Sequence, residues 1–249
     1  MLEDYWIPDT KLGEILVRNV EIPDQESTYY FPPGRTIRHL NPTISCNLDS
    51  ITERKLCDIL CASNTGAVIF WAGEKGYLIE PPFPIPDDVQ FNRYELDPLI
   101  NVLNKERVIG VIALRLGRFA AGVYRGRNLI GSKTGSRYVK GRHRAGGSSA
   151  RRFERIREKQ KKELFDKVCD VVSDQFSSYW GQLDRVFLSG ERMTLNGFLH
   201  SCEKLAPLRD LVAKRVLNIR EPSHKALELL PQDIWKCHVY EFSNEVVSL

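Results

Sequence analysis

The residues best suited to chemistry lie in one stretch, Gly131-Ser132-Lys133-Thr134-Gly135-Ser136-Arg137-Tyr138-Val139-Lys140-Gly141-Arg142-His143-Arg144-Ala145-Gly146-Gly147-Ser148-Ser149-Ala150-Arg151-Arg152-Phe153-Glu154-Arg155. Its composition is suited to recognising a polyanion. The spaced glycines let the backbone approach a sugar-phosphate chain closely. Arg137, Lys140, Arg142, Arg144, Arg151, Arg152 and Arg155 can neutralise phosphates, each contact adding to a salt-dependent affinity. Tyr138 and His143 can stack on unpaired bases. Ser148 and Ser149 stand where a helix should begin, and the free amides of a helix N-terminus form a phosphate site. A solvated basic loop without a ligand would carry the same charge. The first helical turn separates the two cases, because Arg151, Arg152 and Arg155 oppose the helix dipole and are unfavourable for folding alone.

The charge distribution points the same way. The formal net charge is only +4, yet residues 125–162 hold fourteen Lys or Arg against two Glu, a local +12. The rest of the chain holds 22 Lys or Arg against 30 Asp or Glu, or −8. A cationic element on an acidic body calls for a polyanionic partner, nucleic acid first.

Other chemistries fit less well. Gly131-Ser132-Lys133-Thr134 contains Gly-x-Lys-Thr, but the glycine that a Walker A loop needs five residues ahead is missing. Ser189-Gly190 follows an apolar run as a nucleophile turn would, without the Gly-x-Ser-x-Gly pattern. Cys57 and Cys61, four apart on an expected helix, suit two metal ligands but find no second pair. His39, His200, His224 and His238 form no metal spacing and are expected as surface or core polar residues. No metal and no cofactor are expected. The six cysteines, scattered through 249 residues, are expected as reduced thiols. The acidic start, Met1-Leu2-Glu3-Asp4, does not resemble a signal peptide, and no apolar run approaches the roughly 18 residues that cross a bilayer. A cytoplasmic monomer with no membrane association is the expectation.

Several elements must position the basic stretch. Ser50 to Cys61 predicts a helix, and Ala67–Trp71 and Gly76–Ile79 predict strands joined by a turn through Gly73 and Glu74. Glu14–Val17 is a candidate short strand among the prolines of the first 50 residues. A proline-rich connection over residues 81–86 predicts a boundary, giving an α/β extension over 1–90 and a core over 91–249. In the core, Leu96–Leu103 predicts a short helix, and Val108–Leu114 with Phe119–Tyr124 a hairpin. Gly131 to Ser149 is expected as a mobile exposed loop. A long helix over 149–179 follows, with Phe153, Ile156, Leu164, Phe165, Val168, Val172 and Phe176 at near-helical spacing. Strands at Val186–Leu188, Arg215–Ile219 and Val239–Phe242 alternate with helices over 194–205 and 222–229. The fold class is α/β, a mixed sheet flanked by helices.

Arg142-His143-Arg144-Ala145-Gly146-Gly147-Ser148-Ser149-Ala150-Arg151-Arg152-Phe153-Glu154-Arg155, with the long amphipathic helix behind it, resembles the Vms-like release factor domain, which is related to the middle domain of the eukaryotic and archaeal peptide-chain release factor. The resemblance covers about residues 105–245. It implies an RNase-H-like core carrying a basic loop at 131–150. Domains of this family enter the ribosomal A site of a stalled large subunit, and their loop frees the nascent chain from tRNA. It therefore implies a peptidyl-tRNA ester hydrolase of release-factor type acting in ribosome rescue, with the large ribosomal subunit, peptidyl-tRNA and ribosomal RNA as partners. The loop tip falls on Gly146, Gly147, Ser148, Ser149, Ala150 and Arg151.

At the tip this chain departs from the family. In the usual loop, glycines precede a glutamine that helps position water on the peptidyl ester. The position that carries it in many bacterial relatives is Ala150 here, and no Gln occurs between Gln90 and Gln160. Three explanations stay open. Hydrolysis runs through backbone amides assisted by Ser148, Ser149 or Arg151; the protein binds without catalysing; or the residue was changed deliberately. The competing functions are a non-catalytic ribosome or tRNA binder and a nuclease cutting near the tRNA 3′ end. The nuclease would have to use Glu154 and Glu158, which share a helix face. A DNA-binding module has no recognition motif to support it.

Overall fold

The computed structural model describes residues 2–14, 26–35, 50–72, 75–141 and 148–243. In chain order the strands are β1 (Leu2–Pro8), β2 (Glu26–Phe31), β3 (Ala67–Ala72), β4 (Lys75–Glu80), β5 (Val89–Phe91), β6 (Val108–Arg115), β7 (Arg118–Arg125), β8 (Asn128–Ser136), β9 (Leu183–Gly190), β10 (Val212–Leu217) and β11 (Lys236–Ser243). The helices are α1 (Ser50–Ala62), α2 (Asp97–Asn104), α3 (Ser148–Ser177), α4 (Arg192–Ser201), α5 (His224–Leu229) and α6 (Pro231–Ile234), with 3-10 helices over Asp9–Lys11 and Glu203–Leu211. They form two compact units, residues 1–105 with 235–249, and residues 106–234. The boundary expected after residue 90 falls inside the first unit, ahead of α2. The last strand, expected in the core, enters that unit as well, because β11 pairs with both β1 and β4.

The first unit is a six-stranded antiparallel sheet of order β1-β11-β4-β3-β2-β5. Tyr29 and Phe31 on β2, with Ile69 and Trp71 on β3, point to one face by the two-residue period and pack with Leu56 and Leu60 of α1. Gly76 on β4 has no room for a Cβ, which would lie 2.3 Å from the Phe242 ring. On the other face, the Tyr30 hydroxyl donates to the Glu95 carbonyl at 2.7 Å and accepts from the Leu99 amide at 3.3 Å, tying down the start of α2. His238 sits under Trp6, ring centroids 4.3 Å apart, with Nε2 2.8 Å from Asp4 Oδ2 and Nδ1 2.8 Å from the Tyr240 hydroxyl. Burial disfavours its charged form, but hydrogen bonds to Glu80 and Asp4 outweigh that and raise its pKa.

The second unit has the sheet order β10-β9-β6-β7-β8. β6, β7 and β8 form an antiparallel meander, and β9 and β10 run parallel to β6, which is the expected RNase-H-like arrangement. β6 is buried along nearly its whole length, so it reads as a continuous apolar run. α3 lies across one face of the sheet. Leu164, Phe165, Val168, Val172 and Phe176 of this helix pack on Ile112, Leu114, Phe119, Ala121 and Val123. Gly110 makes room for them, since a Cβ there would meet the Phe176 ring at 2.7 Å. Toward the C-terminal part of the unit, the Tyr124 hydroxyl donates to the Leu227 carbonyl of α5 at 2.7 Å, and Ser223 caps α5 by accepting the Ala226 amide at 3.1 Å.

Several expectations are corrected. Gly131–Ser136 is not loop but the second half of β8, paired from Gly131↔Val123 to Ser136↔Arg118. Its glycines serve close packing, because a Cβ on Gly135 would meet the Phe119 ring at 2.5 Å and one on Gly131 would meet Gln175 Nε2 at 2.7 Å. The Gly-x-Lys-Thr run therefore lies within a strand, where no Walker-type turn can form. The thiols are not all reduced: Cys169 of α3 and Cys202 at the end of α4 form a disulfide, their Cα atoms 5.5 Å apart. Both face the core, so packing alone brings them within bonding reach. Ser189, which lacks the nucleophile pattern, is buried at the end of β9, where its Oγ accepts the Ile219 amide at 3.1 Å. Gly190 beside it has φ +142°, and a Cβ there would lie 2.1 Å from the Leu114 carbonyl oxygen. Glu14 of the candidate first strand is helical, and Ile15–Val17 lie outside the described residues, as do His39, Cys46 and the Gly73-Glu74 turn.

Candidate nucleic-acid interface

From Ser136 the chain leaves β8 and crosses onto the surface of α3. The crossing is held at several points. The Arg137 amide donates to the Gly117 carbonyl at 3.0 Å. The Arg137 guanidinium meets Glu163 Oε2 at 2.6 Å and holds that carboxyl below the usual range. Lys167 Nζ donates to the Ser136 carbonyl at 3.1 Å. The Lys140 amide donates to Gln160 Oε1 at 2.9 Å, and Arg157 Nε donates to the Lys140 carbonyl at 3.2 Å. Lys140 Nζ sits 4.0 Å above the Phe153 ring. Residues 136–140 are thus a strap on α3, where the sequence predicts free loop.

Tyr138 projects from this strap and is 73% exposed. Arg151, Arg152 and Arg155 are exposed on the opening turns of α3, and none of them makes an ion pair among the described residues. The first turn of α3 holds no acidic residue and the last turn no basic one, the reverse of what a helix dipole favours. Farther along, Arg157 and Lys161 both lie near Glu158, at 3.8 and 3.5 Å, as ordinary surface pairs. Lys159 and Lys162 remain exposed.

The structure brings Arg137, Tyr138 and Lys140 onto α3, the helix that carries Arg151, Arg152 and Arg155. Ala150 is half-buried in its first turn. Arg142, His143, Arg144, Ala145, Gly146 and Gly147 lie outside the described residues, as do the side chains of Ser148 and Ser149. Among the described residues, no group of three or more His, Cys, Asp or Glu could hold a metal ion. No described helix is long and apolar enough to cross a membrane.

One feature of the surface is not legible in the sequence. Beside Tyr138 is a cleft of about 750 Å³, lined by Arg115, Arg118, Val139, Arg220 and Glu221. Arg118 pairs with Glu221. Arg115 and Arg118 flank the β6–β7 turn, where their place in the chain suggests no role beyond the hairpin, and Arg220 is about a hundred residues away. Only the fold brings them together.

Residues 107–240 match the model of the family described as Actinobacteria/chloroflexi VLRF1 release factor. The chain belongs to that family. The VLRF1 assignment bears out the resemblance carried by the basic loop and its helix. Among similar curated proteins is peptide chain release factor subunit 1 of Archaeoglobus fulgidus, 31% identical over 123 residues, which cover 49% of this chain and 30% of that protein. The protein of the same name from Methanocaldococcus jannaschii is 30% identical over 165 residues, covering 62% of this chain and 39% of that one. The chain therefore spans well under half the length of these relatives. Among solved structures, the crystal structure of archaeal translation termination factor aRF1 aligns over 92% of this chain and 73% of its own, with 18% identity and a TM-score of 0.39.

Proposed function

We propose that this chain is a ribosome-associated release factor that frees nascent chains from tRNA on stalled large ribosomal subunits, acting in the cytoplasm in ribosome rescue. The observation that carries the proposal is the opening of α3, where Arg151, Arg152 and Arg155 stand exposed, without ion pairs among the described residues, at a helix end that repels them. Membership of a release-factor family supports it. A phosphate backbone relieves that repulsion by replacing water with fixed negative charge, and the affinity gained falls steeply with salt.

In this reading each part has its own task. The free amides at the start of α3 point at an anion or a developing oxyanion. Arg151, Arg152 and Arg155 hold the tRNA or ribosomal RNA backbone. The strap fixes Arg137 and Lys140 on the same helix, and Tyr138 offers a ring to an unpaired base. Ala150 contributes no side-chain hydrogen bond, so water on the peptidyl ester is positioned by backbone amides, assisted by Ser148, Ser149 or Arg151. Catalysis is then mostly orientation, with the ribosome and tRNA supplying the rest.

Ala150 also favours a second reading, a ribosome or tRNA binder that does not hydrolyse. Release of a labelled nascent peptide from stalled large subunits, with the unaltered protein and the Ala150→Gln variant, decides between them. Release by the unaltered protein establishes a factor that works without the family glutamine. Binding without release, with release appearing in Ala150→Gln, establishes the binder. Absence of both binding and release would overturn the assignment.

A further inference from the structure

The cleft beside Tyr138 is built by three separate parts of the second unit: the β6–β7 turn, the strap, and the loop ahead of α5. Its volume of about 750 Å³ falls among clefts that hold small ligands, roughly 300–1,000 Å³. Three arginines face one acid across it, and that acid, Glu221, is taken up by Arg118. Arg115 and Arg220 are exposed and make no ion pair among the described residues. Two uncompensated guanidiniums beside a ring that is 73% exposed form a combination suited to one phosphate and one base.

The turn itself is open to a ligand. Gly117 has φ +107° with no atom within 4 Å of where a Cβ would stand, so backbone is exposed at the cleft wall. The Arg137 amide binds the Gly117 carbonyl and holds the strap against this turn. Tyr138 is therefore fixed at its backbone beside the arginines while its ring stays solvated.

We propose that this cleft is a separate RNA subsite that takes one unpaired nucleotide, its base on the Tyr138 ring and its phosphate held by Arg115 and Arg220. The proposal rests on the reading of the chain as an RNA binder. It extends the interface from α3 to the β6–β7 turn. A duplex would meet the arginines but could not present a base to Tyr138, so the subsite selects single-stranded RNA or a splayed end.

The test is binding of a fluorescein-labelled octauridylate to the full chain over a salt series, followed by anisotropy. The variants are Arg115→Ala/Arg220→Ala, Tyr138→Ala, Tyr138→Phe and Arg151→Ala/Arg152→Ala, all at exposed positions. The expected result for Arg115→Ala/Arg220→Ala is weaker binding and a log–log salt slope shallower by about 0.7, as one phosphate of a single strand goes unneutralised. Tyr138→Ala should weaken binding at least about fivefold, and Tyr138→Phe should restore it, since stacking needs the ring and not the hydroxyl. Parent-like binding by Arg115→Ala/Arg220→Ala, with loss in Arg151→Ala/Arg152→Ala, overturns the subsite and leaves the α3 interface standing. Full displacement by polyglutamate, with Tyr138→Ala unaffected, reduces the cleft to a general anion surface and also overturns the subsite. No RNA binding by the parent chain overturns the subsite and the RNA-binding reading together.

Discussion

The two halves of α3 obey different rules. In its C-terminal half Leu164, Phe165, Val168, Val172 and Phe176 recur at helical spacing and are buried against the sheet. In its N-terminal half Arg151, Arg152, Glu154, Arg155 and Ile156 are exposed, and the strap covers Phe153 with Lys140. One half is a product of folding. The other runs against the helix dipole, leaves Ile156 38% exposed, and is stabilised locally by the strap and Glu163. Residues that lower the stability of their own element are expected where a ligand repays the cost, and residues that raise it are expected where the core needs them.

The sharpest way to break this contrast is to truncate the buried half. Phe176→Ala removes a fully buried ring packed on Gly110 and should cost about 3–5 kcal/mol of stability in urea denaturation. A cost like that of a surface change, within about 0.5 kcal/mol, would deny the C-terminal half its structural role. The Cys169–Cys202 bond makes the next largest contribution, closing a separation of 33 residues between α3 and α4. Reduction, or Cys202→Ser, should lower stability by about 2–4 kcal/mol, and the denatured, unreduced chain should titrate two fewer thiols than the reduced one. Equal thiol counts would contradict the bond.

Smaller effects test the strap. Gln160→Ala removes the acceptor for the Lys140 amide and should cost about 1 kcal/mol locally. Tryptic cleavage between Arg137 and Lys140 should then quicken by about fivefold, with global stability nearly unchanged. An unchanged cleavage rate would mean that the strap is held elsewhere. The smallest effect is the exposed Arg137–Glu163 pair. Because Arg137 lowers the Glu163 pKa, its contribution is present above the ordinary carboxylate value and is lost as pH falls through the lowered one. Amide exchange over residues 137–140, corrected for intrinsic rates, should lose protection on acidification, and Glu163→Gln should remove that dependence.

Legibility follows the same divide. The apolar period of α3 is readable because burial on one side of a helix writes a repeat into the sequence, and β3, β4, β6 and β7, buried on both faces, are readable as continuous apolar runs between turns. β2 is not readable, since burial of Thr28 and Tyr30 on one face and Tyr29 and Phe31 on the other leaves no alternation, while Glu26, Ser27 and Thr28 keep it from reading as a continuous apolar run. β8 reads as loop because its glycines suggest freedom, whereas they lie where Phe119 and Gln175 exclude a Cβ. The placement of β11 between β1 and β4 is a long-range pairing that no local pattern encodes. At the candidate site, the basic run and the helix start are visible in composition. The cleft is not, because Arg115, Arg118 and Arg220 come from separate segments.

The central claim is that the N-terminal half of α3 serves RNA and not the fold. The most direct test is binding of the Arg151→Ala/Arg152→Ala variant to large subunits carrying peptidyl-tRNA, alongside its unfolding free energy. Stability should be unchanged or raised by up to about 1 kcal/mol, as the helix end loses unfavourable charge. Affinity should fall, with a log–log salt slope shallower by about 1.4–1.8, because two phosphates are no longer neutralised. Unchanged binding with lowered stability would contradict the account, making these arginines part of the fold and not of its interface.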